Sequence, residues 1–275
     1  RLMSRGLGDV YKRQTLDDSA STFGTLALTG VNVAVTENAA TDLGASTVSG
    51  TLGITSAGAV TDSGTLAITG ATTISASGQD ITLDEAASTF GTLALTGVNV
   101  AVTDAGAVDL GASTVSGTLG ITSAGAVTDS GTLAITGATT ISASGQDITL
   151  DESASTFGTL ALTGANVAVT DAGATDLGAS TVSGTLGITS AGAVTDSGTL
   201  AITGATTISA SGQDITLDES ASTFGTLALT GANVAVTDAG AVDLGASTVS
   251  GTFGITSGGA ITDSGTQAIT GDATF

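Results

Sequence analysis

From Thr15 onward the chain alternates small apolar and small polar residues in short bursts. Leu160-Ala161-Leu162, Val167-Ala168-Val169, Leu200-Ala201-Ile202 and Ile215-Thr216-Leu217 each set aliphatic side chains two residues apart, with Gly, Ser, Asn or Asp on either side. A period of two bounded by turn formers is the signature of β-strands, and Thr, Val and Ile favour the same state. Nothing in the chain reads as helix.

The bursts recur in a fixed order. Ser88–Ala154 repeats as Ser155–Ala221 with two differences, Ala165 standing where Val98 stood and Thr175 where Val108 stood. The same unit covers residues 21–87 and begins again at Ser222, so residues 15–275 form one array of a 67-residue cassette. Read as three sets of three, the bursts fall into columns: Leu160, Leu186 and Thr206 head the first, Val167, Ala193 and Ile215 the second, Thr175, Leu200 and Ser222 the third. A unit too short to bury its own apolar face stacks on its neighbours. The expected fold is therefore all-β: a parallel three-sided β-solenoid (β-helix) with three coils per cassette and about 12 coils. At ~4.8 Å per rung it forms a rod roughly 55 to 60 Å long. Phe23, Phe90, Phe157 and Phe224, one per cassette, are too far apart along the axis to stack and are expected to pack between smaller residues such as Leu177 and Ile202. Tandem β-sandwiches fit less well, because the cassette is short against the ~100 residues of an immunoglobulin-like unit and offers no buried Trp or Tyr.

Composition narrows this picture. Hydrophobic residues make up 41% and aromatics only 3%, so the interior is thin and built from Val, Leu, Ile and Ala. The net charge of -21 and the Gly, Ser and Thr content would suit a disordered chain, but a mean hydropathy of +0.45 and the steady alternation argue for a fold. Without cysteine there is neither a disulfide framework nor a thiolate metal site. No apolar run approaches the ~18 residues of a membrane span. Residues 1–14, RLMSRGLGDVYKRQ, stand apart as a non-repeat leader, expected to be artefactual or disordered: they hold all four cations (Arg1, Arg5, Lys12, Arg13) and the only Met and Tyr. They lack the aromatic platform of a nucleic-acid arm, and an acidic rod repels nucleic acid. The array enters and leaves in mid-repeat, with Phe275 in the place of Ile208. This suggests a fragment truncated at both ends, whose bare edges invite end-to-end self-association.

Candidate chemistry rests on the acids. One follows two residues after the last inward residue of each second-column burst, giving Asp18, Glu37, Asp62, Glu85, Asp104, Asp129, Glu152, Asp171, Asp196, Glu219, Asp238 and Asp263. Stacked one per coil they would form a column at one corner, repelling by roughly 1 kcal/mol per pair in water. Asp104, Asp129, Glu152, Asp171, Asp196 and Glu219 are the candidate weak Ca²⁺ ligands, since all are hard oxygens. The alternative is a solvated acidic edge that keeps rods apart. Catalysis is not expected. The repeats contain no His, Lys, Arg, Cys, Tyr or Trp. Asp214 and Asp218, on one strand face, are ~13 Å apart, too far for a glycosidase pair. Outward Thr159, Thr163, Thr189 and Thr207 suggest a hydroxyl array as in ice-binding solenoids, with Gly187, Ala161 and Ala201 expected to break it. A face without aromatics suits sugar stacking poorly.

The segments GTLALTGANVAVTDAG, TLGITSAGAVTDSGTLAITG and TTISASGQDITLDE resemble the β-helical repeats of filamentous-haemagglutinin-like bacterial surface adhesins and related giant β-strand-repeat exoproteins. The resemblance covers residues 15–275. It implies an extracellular or bacterial cell-surface location and a non-enzymatic stalk, which displays binding regions elsewhere in the parent protein to a host-cell or environmental surface. An ice- or carbohydrate-binding solenoid, or a piece of a polysaccharide-degrading β-helix enzyme, are the alternatives. The family's secretion-signal domain is not in this chain.

Overall fold

The computed structural model describes residues 13–275, and every strand pairing among them is parallel. Thirty-seven short strands form sheets of 18, 16 and three strands, with no helix among the described residues. A turn of the chain has one straight strand in one large sheet and two shorter limbs in the other. In one such turn Leu186–Ser190 is the straight side, and Val194–Asp196 and Leu200–Ile202 are the limbs. The solenoid expected from the sequence is therefore the observed fold.

The winding number differs from expectation. Val100 pairs with Leu119, Leu119 with Thr139, Thr139 with Leu160 and Leu160 with Leu177. At the cassette junction the straight strand Thr159–Gly164 pairs on one side with another straight strand, Thr139–Ser142. On its other side it pairs with two limbs at once, Thr175–Leu177 and Ser180–Val182. The side of the rod that had been straight becomes the bent one. Accordingly Thr92–Gly97 lies in the 18-stranded sheet, Thr159–Gly164 in the 16-stranded sheet and Thr226–Gly231 back in the first. Each cassette makes about three and a half turns, not three, and the rod has about 14 turns, not 12. Its length is on the order of 65 Å at ~4.8 Å per rung.

The physical reason is a strand hidden in turn-like letters. Ser113–Val115, Ser180–Val182 and Ser247–Val249 are limbs of the ladder. Their inward serines are buried, and Ser113 Oγ accepts the Leu95 N–H at 3.0 Å while donating to the Gly111 carbonyl at 2.8 Å. A hydroxyl that satisfies its own surroundings can occupy an inward place. Adding this limb shifts the columns: Val167 stacks on Leu186 and Thr206, and Val194 on Thr175 and Ile215.

The core is a single thin stack of Val, Leu and Ile, each worth roughly 2 kcal/mol when fully buried. Phe90, Phe157 and Phe224 are buried without stacking on one another. The one ring contact among the described residues is Phe253 with Phe275, edge to face at 6.0 Å. Two glycine positions fix the corners. Gly145 is the third residue of a turn closed by Gln146 N–H to the Ala143 carbonyl at 2.9 Å, and its φ of +73° is one that side chains resist. Gly137 lies so close over Gly117 that a Cβ would sit 2.5 Å from the Gly117 carbonyl oxygen.

The leader expectation falls on residues 1–12, outside the described residues. Arg13 and Gln14 belong to the first strand, Arg13–Leu16, which pairs with Asn32–Val35. No helix of the described residues is long and apolar enough to cross a membrane.

Candidate functional site

The candidate acids do not form one column. Asp104 and Asp196 end strands of the 16-stranded sheet, Asp129 and Asp171 strands of the 18-stranded sheet. Asp104 is in register with Ser123, Asp171 with Ser190, Asp129 with Leu110 and Asp196 with Leu177. The rungs advance by 17 to 21 residues, whereas Asp104, Asp129 and Glu152 follow one another at wider intervals, so the acids are carried round the rod.

Most of these carboxylates turn inward. Asp104 and Asp171, at the ends of straight strands, are 2% and 1% exposed. Asp104 Oδ1 accepts the Gly106 N–H at 2.7 Å and Oδ2 accepts the Phe90 N–H at 3.1 Å, tying one coil to the next. Asp171 accepts the Gly173 N–H at 2.7 Å and the Thr175 hydroxyl at 3.2 Å. Asp129 and Asp196, at the ends of limbs, each accept two successive backbone N–H groups of the next coil, Asp151 and Glu152 for the first, Asp218 and Glu219 for the second. Glu152 and Glu219 are half-buried and present their backbone to these partners.

Burial away from water pushes the Asp62, Asp104, Asp129, Asp171 and Asp196 carboxyls above the usual range, and the backbone N–H bonds oppose this. Asp84 and Glu85 beside Asp62, and their counterparts beside Asp129 and Asp196, add a smaller push in the same direction. No group of three or more His, Cys, Asp or Glu able to hold a metal ion exists among the described residues. The six candidate ligands are thus not gathered along one edge, and the oxygens of the four aspartates accept backbone donors.

Half-buried Asp109 and exposed Asp80 are likewise engaged. Asp109 Oδ2 accepts the Thr92 hydroxyl of the preceding coil at 2.7 Å and the Ser130 hydroxyl of the next at 2.8 Å. Asp80 Oδ1 accepts both N–H and Nδ2 of Asn99 at 3.0 Å, and Asn99 Oδ1 accepts the N–H and hydroxyl of Thr118 at 3.1 Å. These are inter-coil staples made of neutral donors and acids.

A model for repeats of unknown function, DUF5649, matches residues 30–96, 97–163, 164–230 and 231–275. The chain belongs to that family. No curated protein and no solved structure matches the chain. Each DUF5649 repeat begins at the glycine that closes the TLALTG strand, so the family's unit coincides with the half-turn junction.

This DUF5649 array also carries a hydroxyl ladder whose register differs from the one expected from the sequence. Thr103, Thr122, Ser142, Thr163 and Thr181 stack in register over five rungs. Ala201 ends the ladder, as expected, but Ala161 lies in the neighbouring column with Ala101, Gly120 and Thr140. Gly187 likewise stands beside its own ladder, with Ala168 and Thr207. The signal was present in the alternation of the straight strands; only the register was missing.

Proposed function

We propose that this chain is a stalk segment of a large secreted bacterial surface protein, a non-enzymatic spacer that holds binding regions away from the cell. The observation that carries the reading is the unbroken ladder of about 14 rungs built from near-identical cassettes. Such a ladder can be lengthened without limit, because each coil contacts only its neighbours and stability is a sum over interfaces. The acid and hydroxyl staples supply lateral cohesion with no cation in the repeat, so trypsin-like proteases find no site from Thr15 onward.

The test is scaling. Chains of three, four and five cassettes, measured by small-angle scattering, should gain ~17 Å in maximum dimension per cassette. Growth with the cube root of mass, as in a globule, defeats the spacer reading. Surface labelling of intact bacteria producing the parent protein tests its location.

A second reading is favoured by the five-rung hydroxyl ladder with its small-residue neighbour column. Such a flat polar face suits ice or a crystalline polysaccharide. Thermal hysteresis and co-sedimentation with insoluble glucan test it, and a negative result in both removes it.

A further inference from the structure

Thr55, Thr122 and Thr189 are the same residue of three successive cassettes, each exposed on a straight strand. Thr55 and Thr189 lie in the 18-stranded sheet and Thr122 in the 16-stranded sheet, on the other side of the rod. The junctions between cassettes are interchangeable. Thr72–Ser75 pairs with Leu93–Thr96, Thr139–Ser142 with Leu160–Thr163 and Thr206–Ser209 with Leu227–Thr230 in one identical register. An array that gains or loses a single cassette can therefore rebuild every neighbour contact it had. What lies beyond the change cannot keep its direction.

The two sides that trade places are chemically different. Straight strands Val100–Asp104, Leu119–Ser123, Thr139–Ser142 and Thr159–Gly164 form a panel whose one acid, Asp104, is buried. The limbs on the opposite side of the same coils carry Asp109, which accepts hydroxyls at the surface. In the next cassette the panel and the acidic limbs exchange sides, as Asp176 follows in the 16-stranded sheet. Along either side, uncharged panels and acidic stretches alternate, and the two sides are out of phase.

We propose that cassette number sets the direction of presentation: an odd change turns everything distal by half a turn, and an even change restores it. One cassette moves the distal part by ~17 Å and two by ~34 Å. The device deepens the stalk reading and draws its biological meaning from it, while its geometry stands independently.

The chain has no cysteine, so spin labels at Thr55→Cys and Thr189→Cys report on it directly. In the full chain the two labels should be roughly 34 Å apart on one side. In a variant lacking residues 97–163, the axial offset halves to ~17 Å but the labels stand on opposite outer surfaces of sheets ~10 Å apart, so the measured distance should stay well above the offset. A distance that collapses to ~17 Å overturns the half-turn. Should the shortened chain not fold, Thr55→Cys with Thr122→Cys in the full chain gives the same reading, with the same two outcomes. Failure of the length scaling would remove the stalk reading and leave these distances as they are.

Discussion

The segment GTLALTG occurs at residues 24–30 and again at 91–97, letter for letter, and the two copies differ in structure. The second is one continuous strand, Thr92–Gly97. The first is split into Thr25–Leu26 and Thr29–Gly30. The second copy pairs with Thr72–Ser75 on one side and two limbs on the other. Among the described residues the first pairs only with the limbs, Asp42–Leu43 and Thr47–Val48. Among the described residues the continuous form goes with a straight neighbour: Thr92–Gly97 runs unbroken where Thr72–Ser75 lies alongside it. The two cassettes also differ in their buried acid. Asp104 satisfies both oxygens, whereas Glu37 Oε1 accepts the Phe23 N–H at 2.6 Å and Oε2 is buried without a partner.

The largest way to probe this difference acts on every internal cassette at once. The raised carboxyls of Asp62, Asp104, Asp129, Asp171 and Asp196 bind a proton more tightly folded than unfolded. Their linked stability is fully present below the ordinary value of about 3.9 and is lost as pH rises through the raised value. The rod should melt at a higher temperature at pH 4 than at pH 7, the reverse of ordinary acid denaturation, and replacing Asp62, Asp129 and Asp196 by Asn should flatten the slope. A melting temperature that is unchanged or lower at pH 4 contradicts this.

Next in size is a single staple. Asp171→Ala strips the Gly173 N–H of its acceptor in a buried setting, and the Phe157 N–H with it. The cost should be about 3 kcal/mol, with Asp171→Asn costing less because one acceptor remains. Chemical denaturation measures both, and equal, negligible costs would show the staple to be idle. Glu37→Asp together with Ala39→Gly rewrites the first cassette toward the internal pattern of Asp104 and Gly106. It removes the orphan oxygen and should stabilise by roughly 1 kcal/mol. Hydrogen exchange of Phe23 and Val33 is the local readout, and faster exchange there would refute it.

The strands, their parallel stacking and the repeat length were legible because period-two alternation and near-identity of cassettes are local facts. The winding number was not, because it depends on whether Ser113, Ser180 and Ser247 point inward, and that is decided by the Leu95, Leu162 and Leu229 N–H groups a coil away. The acids show the same limit. Their place just past a strand was readable, but the inward turn of Asp104 answers the Phe90 N–H, which no spacing within its own strand reveals. Once the columns slip, the hydroxyl ladder is mis-drawn too, with Ala161 counted as a break when it stands beside the ladder.

The smallest effect concerns a position where the internal cassettes are themselves imperfect. Thr139 is fully buried between Leu119 and Leu160 in the straight column, and its hydroxyl has no partner; Thr72 and Thr206 repeat the defect. A β-branched residue is wanted there for the strand, and Val has the same shape. Thr139→Val exchanges an unsatisfied hydroxyl for a methyl among leucines and should stabilise by about 1 kcal/mol. Because coils couple mainly to their neighbours, the triple variant at Thr72, Thr139 and Thr206 should gain close to three times as much. A loss of stability in the single variant would mean that the hydroxyl holds an acceptor inside the rod, and the dry, aliphatic column would have to be redrawn around it.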